Sequence, residues 1–160
     1  MKAAVLTSPA PISRYPLKIE DAARPAPKPG HVLLRVLACG VCRTDLHIVE
    51  GELPPLNPRI IPGHQIVGEV VAGDLDFTTD HVGTGAHARP VEPSSTRSLP
   101  TGTRVGVSWM GGIDGTCPYC RRGEDNLCDS PTFTGYTVNG GYAEYALARA
   151  DFVFPIPAAL

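Results

Sequence analysis

The chain has 160 residues, of which 42% are hydrophobic, and a formal net charge of −2 at pH 7. This length fits one domain, and the slight acidity argues against a nucleic-acid partner, since phosphate binding needs a concentrated basic face. No stretch approaches the ~20 apolar residues needed to span a membrane, and the five cysteines, an odd number, favour a metal site in a reducing cytoplasm over a disulfide framework.

Short apolar runs separated by glycine and proline dominate the chain, and this pattern favours strands and turns over long helices. In chain order the runs predict strands at 2–6 and 31–38, a short helix at 43–50, and strands at 66–72, 103–108 and 142–148. The run at 31–38 is almost continuously apolar, so we expect it to be buried. Together these elements predict a mainly β protein with short helices, folded as a partly open β-barrel.

Residues 74–100 are the least regular segment of the chain. They are rich in Ser, Thr, Pro and Gly and are longer than an ordinary connection, so they predict an irregular insertion that is mobile or packs loosely on the barrel. His81 and His87 lie in this segment. We expect solvated loop histidines there, in preference to metal or substrate ligands.

Three cysteines with metal-ligand spacing are the strongest chemical signal. Cys117, Cys120 and Cys128 are spaced C-x2-C-x7-C, and Asp114 lies three residues before the first of them. Zinc accepts thiolate sulfur and carboxylate oxygen in a tetrahedral site, so the spacing favours a structural zinc site over three thiols that merely lie close together. For Asp114 a second interpretation stays open, since a surface aspartate after a Gly-Gly turn needs no metal.

Further motifs occur in a recognisable order around that loop. They are ACGVCRTDLH (38–47), IPGHQIVGEV (61–70), GTRVGV (102–107) and GGYAEYALARADFVFPIP (140–157). In this order the sequence resembles the N-terminal, GroES-like catalytic domain of zinc-dependent medium-chain alcohol dehydrogenases, over nearly the whole chain except about residues 74–100. The resemblance implies a GroES-like barrel, a small-molecule alcohol or aldehyde as substrate, NAD(P) as cofactor, and homo-oligomeric full-length relatives.

The resemblance also implies roles for individual residues. Cys42 and His64 would be two of the three protein ligands of a catalytic zinc. Thr44 and His47, three apart on the predicted helix, match a hydroxyl and imidazole proton relay, and Asp45 matches the carboxylate that orients the ligand histidine.

Two more positions match the family, and one departs from it. Arg43 corresponds to a residue that pairs with the cofactor pyrophosphate, and Trp109 to a bulky side chain of the substrate pocket, although a core tryptophan is almost as well supported. Gln65 stands where glutamate is usual, so the charge near the metal is less negative by one. Cys39 fits a buried thiol better than a ligand.

Two parts of the family pattern are not found within residues 1–160. The third catalytic ligand is a cysteine downstream of the PIP segment, and the nicotinamide-binding Rossmann domain carries G-x-G-x-x-G, which neither 111–115 nor 135–141 fits. We therefore expect the catalytic-domain portion of a dehydrogenase that oxidises an alcohol to an aldehyde or ketone, without turnover as this chain alone. The alternative is a stand-alone zinc-binding β-barrel that sequesters metal or contacts a protein partner.

Overall fold

The computed structural model describes residues 1–73, 76–78 and 96–159, which form short strands, one α-helix and four 3-10 turns. No helix in these ranges is both long and apolar enough to cross a membrane. In chain order the elements are β1 (Lys2–Leu6), β2 (Leu17–Asp21), β3 (His31–Gly40), α1 (Arg43–Glu50), β4 (Gln65–Gly73), β5 (Asp76–Thr78), β6 (Thr96–Ser98), β7 (Arg104–Val107), β8 (Met110–Gly112), β9 (Thr132–Phe133), β10 (Tyr145–Arg149) and β11 (Val153–Pro155).

A five-stranded antiparallel sheet in the order β10-β3-β4-β7-β11 forms the main layer. Its outer strands, β10 and β11, are not paired with each other in the described ladders, so the sheet is not closed. Three two-stranded ladders accompany it, namely β1–β2, β5–β6 and β8–β9. The predicted mainly β, partly open barrel is confirmed, as is the predicted helix at 43–50.

The hydrophobic core lies on one face of the five-stranded sheet. Residues on one face of a strand alternate with those on the other, and β7 and β10 follow this rule, with Val105, Val107, Ala146 and Ala148 buried. They pack with buried side chains of the central strands and of the connections that lead into the sheet. These further members are Val32, Leu34, Ile66, Val70, Leu99, Ala150 and Val153.

Strand β3 is buried over only part of its length, which corrects the expectation for 31–38. Val32, Leu33 and Leu34 are buried, but the strand is exposed or half-buried from Arg35 onward. The pairing of β3 with β4 shifts register twice, between Leu33 and Leu34 and between Val36 and Ala38. Such irregularities bend a strand, and the second half of β3, which leads towards Cys42, is less completely buried than the first half.

The interval expected to be an irregular insertion carries regular structure at both of its ends. β5 and β6 pair antiparallel, from Asp76 opposite Ser98 to Thr78 opposite Thr96, and Leu99 is fully buried in the core. Regular pairing therefore extends into this interval from both sides. His81 and His87, and the prediction of a loose loop around them, lie outside the described residues.

Candidate metal centres

One cluster of potential ligands forms where α1 begins. Cys42 is the N-cap of the helix, and its sulfur accepts a hydrogen bond from the Thr44 N–H at 3.3 Å. Asp45 completes a capping box, because its Oδ2 accepts the Cys42 N–H at 2.9 Å. The imidazole of His64 lies beside both residues, with Nε2 at 3.5 Å from the Cys42 sulfur and Nδ1 at 3.3 Å from Asp45 Oδ1.

Asp45 and His64 are almost completely buried, so their polar atoms need partners within the protein. Asp45 is 2% exposed and His64 is 6% exposed. Asp45 Oδ1 and His64 Nδ1 face each other, yet neither makes a hydrogen bond of good geometry. A cation on Nε2 would fix the proton on Nδ1, which would then donate to Asp45, as carboxylates do behind metal-bound histidines. Zinc, which accepts imidazole and thiolate together, therefore fits these residues.

His64 is held in place by a glycine turn rather than by a regular element. Gly63 has a φ of +94°, and a Cβ there would lie 2.6 Å from the ring of Tyr142 and 2.8 Å from the Cys39 sulfur. The backbone before His64 pairs with the 140–142 segment, since Gly141 N–H donates to Gly63 C=O at 2.7 Å. The glycines at 140 and 141 thus serve close backbone packing around His64.

The other residues expected near this cluster occupy distinct places. Trp109 meets the His64 ring edge-on, with centroids 5.3 Å apart, and it is stacked with Phe133 at 4.7 Å and with Tyr136 at 5.9 Å. That position is compatible with both the pocket and the core interpretation of Trp109.

Arg43 is exposed at the first residue of α1, and Gln65 is exposed at the first residue of β4. Thr44 and His47 lie one turn apart on α1 as expected. Their relay role, like the cofactor contact of Arg43, remains a prediction.

Cys39 is half-buried near the end of β3 and packs against the main core. Burial, and then the charge of Asp45, raise the pKa of its thiol to about 11. The group of potential ligands that contains Cys42 and His64 does not include Cys39.

The second cluster is the cysteine loop, whose four donors Asp114, Cys117, Cys120 and Cys128 come together as the spacing predicts. Their ligand atoms all lie within 4.8 Å of one another, and the sulfurs of Cys117 and Cys120 are 3.4 Å apart. Zinc–sulfur bonds of ~2.3 Å in a tetrahedron place sulfurs about 3.8 Å apart. Small movements of the side chains would therefore admit the ion.

The backbone of the loop already points donors at these ligands. Cys120 N–H donates to the Cys117 sulfur at 3.4 Å, and the N–H groups of Asp114 and Ser130 donate to the Cys128 sulfur at the same distance. Asp114 Oδ1 accepts the N–H groups of Thr116 at 2.7 Å and Cys117 at 2.9 Å. This turn supplies a structural reason for Asp114 besides a metal, so its ligand role stays a proposal.

The groups of the loop shift the pKa values of one another. Loss of hydration and the neighbouring sulfurs of Cys117 and Cys128 raise the pKa of Cys120 to about 12. Desolvation raises the pKa of Cys117, but hydrogen bonds from backbone N–H groups, first that of Cys120, outweigh this effect and lower it. The N–H groups of Cys117 and Thr116 lower the pKa of Asp114. Clustered thiols need a cation to ionise together, and zinc supplies one.

Two polar residues near the first cluster were not singled out from the sequence. Glu52 Oε2 lies 2.6 Å from His47 Nδ1, and the Tyr142 hydroxyl donates to Gly40 C=O at 3.3 Å. Burial, followed by the charges of Asp45 and Cys39, raises the pKa of Tyr142.

A cavity of about 650 Å³ lies elsewhere in the domain. Its lining includes Asp21 and Tyr145 and contains none of the candidate ligands.

A partly open barrel with these two clusters defines a β-domain with two candidate metal centres. The family model described as "Alcohol dehydrogenase GroES-like domain" matches residues 28–158. A Mycobacterium tuberculosis (strain CDC 1551 / Oshkosh) protein named "Probable alcohol dehydrogenase AdhA" is 40% identical over 157 residues, which are 98% of this chain and 41% of that protein.

Two solved structures share the fold across almost the entire chain. The cobalt- and zinc-bound thermostable alcohol dehydrogenase from Pyrobaculum aerophilum has 28% identity and a TM-score of 0.74, covering 99% of this chain and 42% of that one. Acetophenone reductase from Geotrichum candidum NBRC 4597, in complex with NAD, has 32% identity and a TM-score of 0.72, with 99% and 40% covered.

The chain therefore belongs to the alcohol dehydrogenase family and forms its GroES-like domain. It spans about two fifths of the length of the relatives it matches.

Proposed function

We propose that this chain is the catalytic-domain portion of a zinc-dependent alcohol dehydrogenase that oxidises an alcohol to an aldehyde or ketone with NAD(P)+. The observation that carries the proposal is the buried cluster at the start of α1, where His64 Nε2 lies 3.5 Å from the Cys42 sulfur and Asp45 lies behind Nδ1. The zinc-bound alcohol dehydrogenase from Pyrobaculum aerophilum and the NAD complex of acetophenone reductase support the choice of cofactors.

Each protein group has a separate role in the proposed reaction. A zinc ion on Cys42 and His64 would lower the pKa of the alcohol hydroxyl and orient it, so that hydride can pass to the nicotinamide. Asp45 keeps the His64 ring oriented through Nδ1. The hydroxyl of Thr44 and the imidazole of His47 carry the released proton away from the buried cluster towards solvent.

The cysteine loop has a separate task in this proposal. Asp114, Cys117, Cys120 and Cys128 hold a structural zinc, because four protein donors close the coordination sphere and leave no position for substrate. The first cluster offers two ligands of the catalytic type within this chain. Two ligands hold zinc weakly, so a third ligand and the cofactor domain are needed for turnover.

The test compares the purified chain with the complete protein that contains it. We expect alcohol-dependent reduction of NAD(P)+ by the complete protein, none by residues 1–160 alone, and none by the complete protein carrying His64→Ala. Coding sequence after Leu160 with a cysteine and then G-x-G-x-x-G agrees with the proposal. A complete protein that binds zinc and folds but never reduces NAD(P)+ would instead favour the zinc-binding module.

A further inference from the structure

A carboxylate that the family pattern did not point to lies directly against the proposed relay histidine. Glu52 Oε2 is 2.6 Å from His47 Nδ1, a short distance for a contact between nitrogen and oxygen. An ionised carboxylate can only accept a hydrogen bond. The proton of the neutral imidazole must therefore be on Nδ1 whenever this contact is made, and Nε2 is then the nitrogen with the free lone pair.

The backbone explains why Glu52 can reach a residue five positions earlier, beyond the usual helical neighbours. Gly51 ends α1 in the left-handed conformation with a φ of +83°, and its N–H donates to Ile48 C=O. Leu53 N–H then donates to the carbonyl of His47 at 3.2 Å. These two bonds turn the chain back on the last helical turn and present Glu52 to the imidazole.

Only glycine suits the residue that makes this turn. A Cβ at Gly51 would lie 2.9 Å from the Cβ of Pro9, and Pro9 is itself held close, since Ala10 N–H donates to Val49 C=O at 3.1 Å. A left-handed residue with no room for a side chain is a strong conformational constraint. The position of Glu52 is thus built into the end of the helix.

We propose that Glu52 is the positioning residue of the proton relay: it fixes the His47 tautomer so that Nε2 accepts the proton released by the substrate. The Nε2–H bond forms as the O–H bond of the donor breaks, and the imidazolium is stabilised by Glu52 and by the C-terminal end of α1. The proton then leaves to water, because the His47 side chain is 33% exposed. This consequence depends on the function proposed above; the tautomer itself does not.

A simple surface ion pair is the competing explanation. Such pairs add little to stability, so a stability measurement cannot tell the two apart. The tautomer distinguishes the two explanations, because a histidine side chain without a partner prefers the proton on Nε2, which is opposite to the state that Glu52 imposes. Nitrogen-15 NMR of the imidazole reports this state directly, and the His47 resonances are assigned by their loss in His47→Gln.

The experiment uses the zinc-supplemented 160-residue chain at a pH where His47 is neutral. We expect the parent to show mainly Nδ1–H, and Glu52→Ala to lower the ratio of Nδ1–H to Nε2–H by roughly fivefold. Glu50→Ala is the matched control, since Glu50 Oε1 accepts the Ile12 N–H at 3.0 Å instead, and it should leave the ratio unchanged. A parent spectrum dominated by Nε2–H, or the same ratio in Glu52→Ala, overturns the proposal.

The complete dehydrogenase supplies a second measurement. Glu52→Ala should lower kcat for alcohol oxidation by about fivefold with KM unchanged, because the tautomer affects proton transfer and not alcohol binding. An unchanged kcat would refute the relay role of Glu52 and leave the proposed function standing. A parent protein without turnover would refute the proposed function, while the NMR result still decides whether Glu52 sets the tautomer.

Discussion

Replacing Asp45 with alanine tests whether the first cluster is a preorganised site. The carboxylate is 2% exposed and has two tasks, since Oδ2 accepts the Cys42 N–H at 2.9 Å and Oδ1 faces His64 Nδ1 at 3.3 Å. Removal takes away the capping box of α1 and the carboxylate that faces the Cys42 N–H and His64 Nδ1. Among the described residues, neither nitrogen makes a hydrogen bond to any other group.

The magnitude follows from those two losses. A lost helix cap costs about 1 kcal/mol. With zinc on Nε2, the buried His64 Nδ1–H would also lose the acceptor that Asp45 then provides, which costs ~1–3 kcal/mol. We therefore expect Asp45→Ala to lower the free energy of unfolding by about 2–4 kcal/mol. Asp45→Asn keeps an oxygen for the Cys42 N–H and should lose about half as much.

Urea unfolding with excess zinc, followed by circular dichroism, measures both variants. Asp21→Ala is the matched control, because this carboxylate pairs with Lys2 at 2.8 Å but is 77% exposed, so removing it should change stability by less than about 0.5 kcal/mol. If Asp45→Ala unfolded at the same urea concentration as the control, the buried contacts around His64 would carry no stability. The inference that the first cluster is a preorganised site would then be wrong.

Three further outcomes are expected. Metal analysis of the purified chain should find one firmly held zinc, lost in Cys120→Ser and retained in Cys39→Ser; two tightly bound zincs in the parent would contradict this. Removing the zinc with a chelator should unfold or aggregate the cysteine loop, and a metal-free chain that stays fully folded would refute the structural site. Gly63→Ala should destabilise the chain by about 1–3 kcal/mol more than Gly102→Ala, since both have φ near +90° but only Gly63 has close neighbours; equal losses would count against packing around His64.

Local patterns in the sequence predict β1, α1 and four of the five strands of the main sheet. The predicted strand at 2–6 and the predicted helix at 43–50 match β1 and α1, and the runs at 66–72 and 103–108 match β4 and β7 to within a residue or so at each end. These runs have clear apolar alternation or helical spacing, and glycine or proline lies close to them, so short-range information was enough.

The elements that were missed form through contacts distant in sequence. β2 carries Lys18, Glu20 and Asp21, and its Ile19 is 72% exposed, so it has no buried face to reveal it. It exists because it pairs with β1, from Lys2 opposite Asp21 to Leu6 opposite Leu17. The short strands β8, β9 and β11 are likewise set by their partners, and β11 ends in a proline at the edge of the sheet.

The candidate ligands were predictable, but their supporting contacts were not. Cys42, His64 and the four donors of the cysteine loop could be chosen from spacing and motif order. The contact of Glu52 with His47 could not, because it depends on a left-handed turn at Gly51 and spans five residues. Tyr142 reaches Gly40 from the far end of the chain, 102 residues away, which no local pattern can show.

The two clusters differ in how much of the fold each needs, and this difference explains their chemistry. The cysteine loop draws all four donors from residues 114–128 and fixes them with its own backbone N–H groups. Such a site can assemble locally and suits a structural ion. The first cluster joins Cys42 and His64 across 22 residues and depends on the 140–142 segment for the turn at Gly63. Its geometry exists only when the barrel is folded, so the catalytic role proposed for it would depend on the integrity of the whole domain.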